Sequence, residues 1–372
     1  MEIEGGSGNG DYIYTSAINN VSMYIGGDFD SIGQMFSFQK TRIQSCLAYL
    51  NISEMQFHSV ANQCDGSIRK ISINNGTIYA VGDFNNLIPN KVLTTGAVAY
   101  LGDDGAWRGL GSLFNQRVNA IVFWNESIII GLENSGSLNN LAIFENGEWK
   151  TLSNGVDGGG VKDLYVLDDN LYVVGHFESV NGGMVNTRGI ASLDLIDMTW
   201  SSIASLGDDE YINSMYVDSN EDIFVVGSFA PISGSDPNIA KYDGFSWSSV
   251  ASQAFPVVDD AILNVISGDN GTLIIGGIFS SSSYNNIAIW NGTQWHGLRA
   301  GLTCSNMCNA SVTTITPFPH LIFVPSTSPT FSFDTFFKWK PWAIMAAGAL
   351  IVAGILSLLT LMCFRLCSCN KS

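Results

Sequence analysis

The stretch Leu171–Phe177 (LYVVGHF) decides the fold, because its pattern occurs six times along the chain. Each copy is a short apolar run with a glycine near its end, and in five of the six copies a phenylalanine follows two residues after that glycine. The other copies are Tyr24–Phe29, Ile78–Phe84, Ser127–Glu133, Ile223–Phe229 and Leu273–Phe279. The copies are about 50 residues apart, and strand-like repeats of this length are typical of a β-propeller in which each repeat is one blade.

A second motif follows each apolar run, and it consists of a small apolar cluster that begins with alanine and leads to a tryptophan. Its copies are Ala99–Trp107, Ala142–Trp149, Ala191–Trp200, Ala240–Trp247 and Ala288–Trp295. The first repeat has Ala48 and then Phe57 in place of the tryptophan. With a lead strand such as Val161–Val166, each repeat predicts four short strands joined by Asn-Gly, Asp-Gly and Gly-Gly turns. We therefore expect an all-β propeller over residues 11–324, with a disordered N-terminus over residues 1–10.

The repeated glycine and aromatic positions are predicted to be structural and not ligand-binding. A glycine lets two backbones approach closely, a phenylalanine can pack between blades, and a tryptophan can cover the outer strands. The third repeat is the deviant one, because it has Glu133 at the position that we count as the phenylalanine's. The structural positions are Gly27, Phe29, Gly82, Phe84, Trp107, Trp149, Gly175, Phe177, Trp200, Gly227, Phe229, Trp247, Gly277, Phe279 and Trp295.

A seventh repeat begins after the sixth and then departs from the pattern. Val312–Ile315 resembles a lead strand and Leu321–Val324 a second strand, but Pro325 stands where a glycine is expected. The half-repeat is either a strap that closes a ring of six four-stranded blades or a partial seventh blade, and we favour six blades. Residues 325–341 are rich in Ser, Thr and Pro, which predicts a stalk.

An apolar segment near the C-terminus predicts a membrane span. Ala343–Phe364 contains no charged side chain, and as a helix it would be about 33 Å long, enough for a hydrocarbon core of about 30 Å. Trp339 and Trp342 suit the interfacial region of a bilayer. We therefore predict one C-terminal transmembrane helix over residues 342–364 and a cytoplasmic tail over residues 365–372.

The charges that flank this segment do not decide its orientation. Lys338 and Lys340 precede the span, while Arg365 and Lys371 follow it. Met1–Asp11 lacks the apolar core of a signal peptide. Two interpretations remain open: a tail-anchored protein with a cytosolic propeller, or an incomplete chain whose export signal lies upstream.

Asn-x-Ser/Thr sequons favour the exported topology. Asn75, Asn125, Asn270 and Asn291 are all predicted to lie in hairpin turns, where a glycan can be carried. We therefore predict a type I single-pass glycoprotein of the plasma membrane or endomembranes, with its propeller extracellular or lumenal. The seven sequons that precede the span are Asn20, Asn51, Asn75, Asn125, Asn270, Asn291 and Asn309.

The cysteines fall into two groups with different predicted roles. Two pairs in and after the repeats suit disulfides in an oxidising compartment, with free buried thiols as the alternative; they are Cys46 with Cys64 and Cys304 with Cys308. Three cysteines cluster at the end of the predicted span, where they either accept palmitoyl groups or extend the apolar helix end. These are Cys363, Cys367 and Cys369.

Charge and histidine placement exclude several classes of function. The chain has a net charge of −17, and all 33 acidic residues precede Lys338, so a nucleic acid is not expected as a partner. The four histidines, which are His58, His176, His296 and His320, do not have the spacing of metal ligands. We predict no catalytic residues, no metal site and no cofactor, and hence a protein that is not an enzyme.

The motif order of the sixth repeat carries a family resemblance. Leu273–Phe279 is followed by Asn286–Trp290 (NIAIW) and Asn291–Trp295 (NGTQW). Together with the span, this order resembles the cortical marker proteins for cell polarity, and the resemblance extends from Asp11 to Phe364. These are fungal bud-site-selection membrane glycoproteins with kelch-like repeats outside the cell and one C-terminal span. The resemblance implies a kelch-like propeller and a non-enzymatic landmark that marks a cortical site in cell polarity or bud-site selection.

Two function classes stay open at this point. A landmark with so short a tail requires a membrane-protein partner, and Ala343, Ala347, Ala349 and Ala353 give a small-residue spacing through which a neighbouring helix could approach. The alternative is a cell-surface adhesion or glycan-binding receptor, with an extracellular glycan or protein ligand on one propeller face. An exposed aromatic cluster on such a face would favour this alternative.

Overall fold

The structure is a computed structural model, and its regular elements are all β-strands in antiparallel sheets within the part of the chain that it describes. The all-β prediction is confirmed for this part. The described residues are 2–4, 12–20, 22–29, 31–33, 42–44, 46–51, 54, 56–61, 63–88, 96–111, 113, 115–133, 136–250, 262–267, 272–280, 285–297, 316–318 and 321–323.

Six four-stranded sheets follow one another along the chain, one for each predicted repeat. In each sheet the four strands are adjacent in the order in which the chain forms them. Sheet 1 contains β2 (Tyr12–Asn19), β3 (Ser22–Asp28), β6 (Leu47–Asn51) and β7 (Gln56–Ala61). Sheet 2 contains β9 (Ile68–Asn74), β10 (Thr77–Gly82), β12 (Val98–Leu101) and β13 (Trp107–Gly109). Sheet 3 contains β14 (Arg117–Trp124), β15 (Ser127–Glu133), β16 (Leu141–Glu145) and β17 (Glu148–Thr151).

The remaining three repeats form sheets of the same kind. Sheet 4 contains β19 (Gly160–Leu167), β20 (Asn170–His176), β23 (Ile190–Asp194) and β24 (Thr199–Ser202). Sheet 5 contains β25 (Tyr211–Val217), β26 (Ile223–Ser228), β27 (Ile239–Tyr242) and β28 (Trp247–Ser248). Sheet 6 contains β29 (Ile262–Ser267), β30 (Leu273–Ser280), β31 (Asn285–Trp290) and β32 (Trp295–Gly297).

Short strands form four smaller sheets that the repeat pattern did not predict. They are β1 (Glu2–Glu4) with β4 (Ser31–Gly33) and β5 (Arg42–Gln44); β8 (Gln63–Cys64) with β11 (Leu87–Ile88); β18 (Val156–Asp157) with β21 (Ser179–Val180) and β22 (Val185–Asn186); and β33 (Thr316–Phe318) with β34 (Leu321–Phe323). Strand β1 differs from the expectation of a disordered N-terminus, because Ile3 pairs opposite Ile32 in an antiparallel ladder.

Consecutive sheets pack through their first strands. Strand β2 lies against β9, β9 against β14, β14 against β19, β19 against β25, and β25 against β29. Equivalent residues meet across these contacts: Ile71 N donates to Thr15 Oγ1 at 2.8 Å, and Met215 N donates to Asp163 Oδ2 at 3.2 Å. The first strands therefore run in the same direction and at the same level.

The apolar core lies between neighbouring sheets. Five clusters of buried side chains each join one sheet to the next, from sheets 1 and 2 to sheets 5 and 6. The motif phenylalanines Phe84, Phe177 and Phe229 belong to these clusters and are almost wholly buried. Burying one such side chain contributes about 1.5–3 kcal/mol, so these positions bind sheet to sheet.

The motif glycines stand where two strands of one sheet approach closely. A Cβ at Gly82 would overlap the carbonyl oxygen of Ser67, and the same overlap would occur at Gly175 and Gly227 with the carbonyls opposite them. These atoms are backbone and cannot rotate away. At these positions the close approach excludes any side chain larger than hydrogen.

A β-bulge lies in the first strand of all six sheets, opposite the end of the second strand. Each bulge adds one residue to the first strand and increases its local twist. The extra residues are Tyr14, Arg69, Asn119, Lys162, Asn213 and Leu263.

The positions of the bulges show which residue of the third repeat is equivalent to the motif phenylalanine. Val118 pairs with Leu132 directly before the bulge, as Val161 pairs with Gly175. Glu133 is thus equivalent to His176, and counting it at the phenylalanine position was wrong by one residue. The error arose because Gly131 stands one position earlier than the other motif glycines.

Sheets 2 to 5 each have one tryptophan that connects the sheet to the preceding one. Their indole Nε1 groups donate to backbone carbonyls that lie in or just after the preceding sheet. The pairs are Trp107 with Val60 O at 3.3 Å, Trp149 with Leu110 O at 2.7 Å, Trp200 with Ser153 O at 2.8 Å and Trp247 with Ile203 O at 3.4 Å.

The half-repeat after sheet 6 contributes the pair β33 and β34. Strand β33 packs against both β2 and β29, so it lies between sheet 1 and sheet 6. The predicted second strand Leu321–Val324 corresponds to β34, whereas Val312–Ile315 lies outside the described residues. The predicted stalk, span and tail also lie outside them, and no helix in the described part is long and apolar enough to cross a membrane.

Candidate functional site

The alternating strand direction gives the array of sheets two different faces. Turns between first and second strands, and between third and fourth strands, emerge on one face, which we call the turn face. The bulges and the connections between second and third strands lie at the opposite ends of the strands, which we call the loop face. Because the first strands are level and run the same way, this assignment holds from sheet to sheet.

The first turn of sheets 1 to 4 demands a left-handed backbone. The first residue of this turn has a positive φ in all four sheets. The values are 54° at Asn20, 48° at Asn75, 52° at Asn125 and 51° at Asp168. Asn and Asp adopt this region more readily than other residues with side chains. All four side chains are exposed. Three of the seven sequons therefore occupy exposed turn positions whose left-handed backbone favours Asn or Asp.

The second turns of sheets 4, 5 and 6 each have an oxygen acceptor in their first residue. In sheet 6, Asn291 Oδ1 accepts hydrogen bonds from Thr293 N at 2.9 Å and Gln294 N at 2.8 Å. In sheet 5, Asp243 Oδ1 accepts from Phe245 N at 2.9 Å and from the next amide at 2.8 Å. Asp194 does the same in sheet 4. Either Asn or Asp satisfies this turn.

The acceptor role is visible in the ionisation of Asp243. Hydrogen bonds from the amides of Ser246 and Phe245 lower the pKa of this carboxyl below its usual value. Its carboxylate is therefore ionised at neutral pH, and the turn of sheet 5 presents a negative charge to solvent.

Five predicted glycosylation positions are thus gathered on the turn face. Besides the three in first turns, Asn291 is exposed in a second turn. Asn51 ends the third strand of sheet 1, and its Oδ1 accepts from Glu54 N at 3.3 Å. Asn270 and Asn309 lie outside the described residues. The sequence predicted a turn for Asn75, Asn125 and Asn291 but not for Asn20 and Asn51, and only the common orientation of the strands places all five on one face.

Cys46 and Cys64 form a disulfide with their Cα atoms 6.0 Å apart. Cys46 directly precedes the third strand of sheet 1, and Cys64 ends β8, just before sheet 2. The bond therefore ties sheet 1 to the segment that leads into sheet 2. The other candidate cysteines, which are Cys304, Cys308, Cys363, Cys367 and Cys369, lie outside the described residues.

The loop face carries a row of alternating charges across sheets 2 to 4. Arg69 lies 3.2 Å from Asp83, which also lies 3.4 Å from Arg117. Arg117 is 3.6 Å from Glu133, and Glu133 is 3.1 Å from Lys162. Two of these five residues, Arg69 and Lys162, are the extra residues of bulges. Each charge has at least one partner of opposite sign, so the row joins three sheets.

Uncharged bulge residues link sheet 3 to sheet 4 and sheet 5 to sheet 6 through backbone carbonyls. Asn119 Nδ2 donates to Val161 O at 2.9 Å, and Asn213 Nδ2 donates to Ile262 O at 3.0 Å. Both carbonyls belong to the residue before the bulge of the next sheet. The guanidinium of Arg69 lies 4.3 Å from the centre of the Tyr14 ring. The bulges therefore place polar side chains at the contacts between sheets.

Asp163 is the most connected of the residues that follow the bulges. It is buried, and Ser214 Oγ and Met215 N of sheet 5 both donate to its Oδ2 at 3.2 Å. Its Oδ1 lies 3.2 Å from the ammonium of Lys70, which belongs to sheet 2. One carboxylate thus joins sheets 2, 4 and 5, so the ion pair reaches past sheet 3.

Glu133 gives this row of charges a dependence on pH. Burial would raise the pKa of Glu133, but Lys162, Asn119 and Arg117 together lower it below the ordinary value of 4.5. Because the folded-state pKa is the lower one, the stability that Glu133 contributes is present above pH 4.5. It is lost as the pH falls through the folded-state value.

We therefore expect acidification to destabilise the wild-type protein more than the Glu133→Gln variant. The glutamine amide keeps the shape of the side chain and does not titrate. It therefore removes the contribution of this group to the loss of unfolding free energy as the pH falls. Urea unfolding at a series of pH values below 4.5 measures this difference. Lys162→Met removes the main charge partner of Glu133. It should therefore also make the free energy of unfolding depend less steeply on pH than in the wild type. If the free energy of unfolding falls equally with pH in all three proteins, Glu133 is not the group responsible.

The histidines in the described part of the chain lie apart from one another and have different neighbours. His58 lies 3.6 Å from Glu54, His296 Nε2 lies 2.8 Å from Asn291 Nδ2, and the His176 ring contacts that of Tyr211. His320 lies outside the described residues. No group of three or more His, Cys, Asp or Glu side chains that could hold a metal ion occurs in the described ranges.

The comparisons with known proteins add little to this picture. No protein-family model matches the chain, and no curated protein sequence matches it. Among solved structures, the computationally designed protein Ika8 matches with a TM-score of 0.48 and 11% identity, covering 88% of this chain and 98% of its own. The extracellular domain of a putative one-component system from B. thetaiotaomicron matches with a TM-score of 0.37 and 11% identity, covering 84% of this chain and 50% of its own. Similarities at these values carry no argument about fold or function.

Proposed function

We propose that this chain is a membrane-anchored, non-enzymatic glycoprotein that acts as a cortical landmark in cell polarity or bud-site selection. In this proposal the six sheets are the blades of a closed, kelch-like propeller. Support for closure comes from β33, which packs against the first strand of sheet 1 and the first strand of sheet 6. A strand in that position fills the space between the first and the last blade.

The observation that carries the proposal is the gathering of five sequon asparagines on the turn face. Glycans are accommodated on exposed turns, and a common face keeps them away from the contacts between sheets. The Cys46–Cys64 disulfide supports the same compartment, since such bonds persist in oxidising environments. Both features favour a propeller that is extracellular or lumenal.

The landmark role adds a membrane anchor and a partner. The apolar segment at residues 342–364 would hold the propeller at the plasma membrane or an endomembrane. Its small residues would admit the helix of a neighbouring membrane protein. The propeller would then mark the site, and the partner would recruit the polarity machinery.

Endoglycosidase treatment of the full-length protein from its host cells tests this proposal. We expect a clear increase in electrophoretic mobility, because several turn-face sequons carry glycans, and protection of the propeller from protease added to the cytosolic side. Asn→Gln substitution at Asn75 and Asn125 should abolish part of the shift. Unchanged mobility together with cytosolic protease access would refute the proposal and establish the tail-anchored topology.

A further inference from the structure

The turn face is divided into a sector with sequons and a sector without them. Sheets 1, 2, 3 and 6 contribute sequon asparagines to this face, whereas the sequence has no sequon between Asn125 and Asn270. Sheets 4 and 5 lie entirely within this interval. We call their turns, which are residues 168–169, 194–199, 218–222 and 243–246, the open sector.

The fold does not impose this division. The first turn of sheet 4 has Asp168 with the same left-handed backbone as Asn75 and Asn125 in sheets 2 and 3. The second turn of sheet 5 has Asp243 with the same two amide hydrogen bonds that Asn291 accepts in sheet 6. Since either residue satisfies both turns, the fold does not require acids at these positions of the open sector.

Exposed apolar side chains lie in the same turns. Phe245 is 95% exposed, Ile196 is 65% exposed and Met198 is 42% exposed. Among the described residues the large exposed apolar side chains are these three and Met184, which lies on the loop face. Phe245 stands two residues after Asp243, where sheet 6 has the sequon threonine Thr293. Large exposed apolar side chains that are grouped together are typical of a protein-binding surface, and these three lie in the second turns of two neighbouring sheets that have no sequon.

The charges around these side chains are acidic. Asp168, Asp197, Glu221 and Asp243 are all exposed within the open sector. The nearby Lys241 is already paired with Asp222. A second copy of this chain would bring the same acids against one another, and that juxtaposition is repulsive. Charge complementarity therefore favours a basic partner.

We propose that the open sector docks a basic, amphipathic protein segment, in which lysine or arginine residues alternate with apolar ones. The apolar side chains would pack on Phe245, Ile196 and Met198, and the basic groups would pair with the surrounding carboxylates. This inference names the partner class for the landmark, and its argument from the missing sequons rests on the proposed function. The argument from exposed apolar and acidic groups does not.

The chain offers a glycan wedge as a direct test. The double substitution Asp243→Asn and Phe245→Thr reproduces in sheet 5 the sequon turn Asn291–Thr293 of sheet 6. The matched control is Glu148→Thr, which completes a sequon at Asn146 in the equivalent turn of sheet 3. Phe245→Ser on its own removes the apolar side chain without adding a sequon.

Binding is measured on the full-length protein, purified from a glycosylating host and held in neutral-lipid nanodiscs. The probes are a fluorescent peptide of alternating lysine and leucine and its counterpart of alternating glutamate and leucine, with empty nanodiscs as the background. We expect only the lysine peptide to bind. Both the double variant and Phe245→Ser should weaken its binding by more than about tenfold, whereas Glu148→Thr should leave it unchanged.

Several outcomes would overturn the inference. They are equal binding of the two peptides, no binding above the empty nanodiscs, equal loss in the Glu148→Thr control, or unchanged binding in Phe245→Ser. Self-association that disappears in Phe245→Ser would assign the sector to a second copy instead. If none of the proteins carries glycan, the proposed function fails, while Phe245→Ser and the two peptides still decide the inference.

Discussion

Replacement of Asp163 by alanine is expected to lower the free energy of unfolding by about 2–6 kcal/mol, because two buried donors lose their charged acceptor at about 1–3 kcal/mol each. The carboxylate accepts hydrogen bonds from Ser214 Oγ and Met215 N and pairs with Lys70. Without it, the amide of Met215 loses its acceptor in the contact between sheets 4 and 5. Urea unfolding followed by tryptophan fluorescence measures the loss.

Two further variants show which contact of Asp163 matters most. Lys70→Met leaves the buried carboxylate of Asp163 without its counter-ion, but the hydrogen bonds from sheet 5 remain, so this variant should cost less than Asp163→Ala. Asp163→Asn keeps an oxygen acceptor and should fall between the two. If Lys70→Met lowers the free energy of unfolding as much as Asp163→Ala does, Asp163 stabilises the fold mainly through the ion pair. The hydrogen bonds to sheet 5 would then contribute little.

Gly227→Ala is expected to cost about 3 kcal/mol or more, because the new methyl group has no space. Its Cβ would overlap the carbonyl oxygen of Tyr211 on the paired strand, so a backbone must move. The shift would strain the bulge between Ile212 and Ser214 that lies opposite. The midpoint of urea unfolding should fall, with the slope unchanged.

Gly136→Ala is the matched control, since a methyl group at this position would have no atom within 4 Å. It should change stability by no more than about 0.5 kcal/mol. Sheet 3 has Leu132 at the position equivalent to Gly227. Wild-type stability of Gly227→Ala would mean that sheet 5 can adopt the strand spacing that sheet 3 uses to hold this leucine.

The sequence predicted the strands well because their signal is local. The apolar runs, the motif glycines and the turn residues each lie within a few residues of one another, and every one of the six repeats contains them. The bulges have no such signature, since the added residue is Tyr14 in one sheet, Arg69 in another and Leu263 in a third. Their regularity follows from strand pairing, which the sequence does not state.

The surface was predictable only in part for the same reason. Sequons are recognised directly in the sequence. Their position on one face, however, depends on the first strands of all six sheets running in the same direction. Lys70 and Asp163 are 93 residues apart in sequence, and neither belongs to a repeated motif. Their contact depends on how three sheets pack together. The exposure of Phe245 likewise depends on its turn, since most phenylalanines of the motifs are buried.

The four tryptophan bonds give the domain a direction of assembly during synthesis. Each indole donor belongs to a later repeat than the carbonyl that it satisfies. A sheet that has just left the ribosome therefore keeps an unpaired carbonyl at its outer edge until the next sheet emerges. Each new repeat supplies a donor to the one made before it, so we expect cotranslational folding to proceed from the N-terminal side. A chain released early would end in an incomplete sheet.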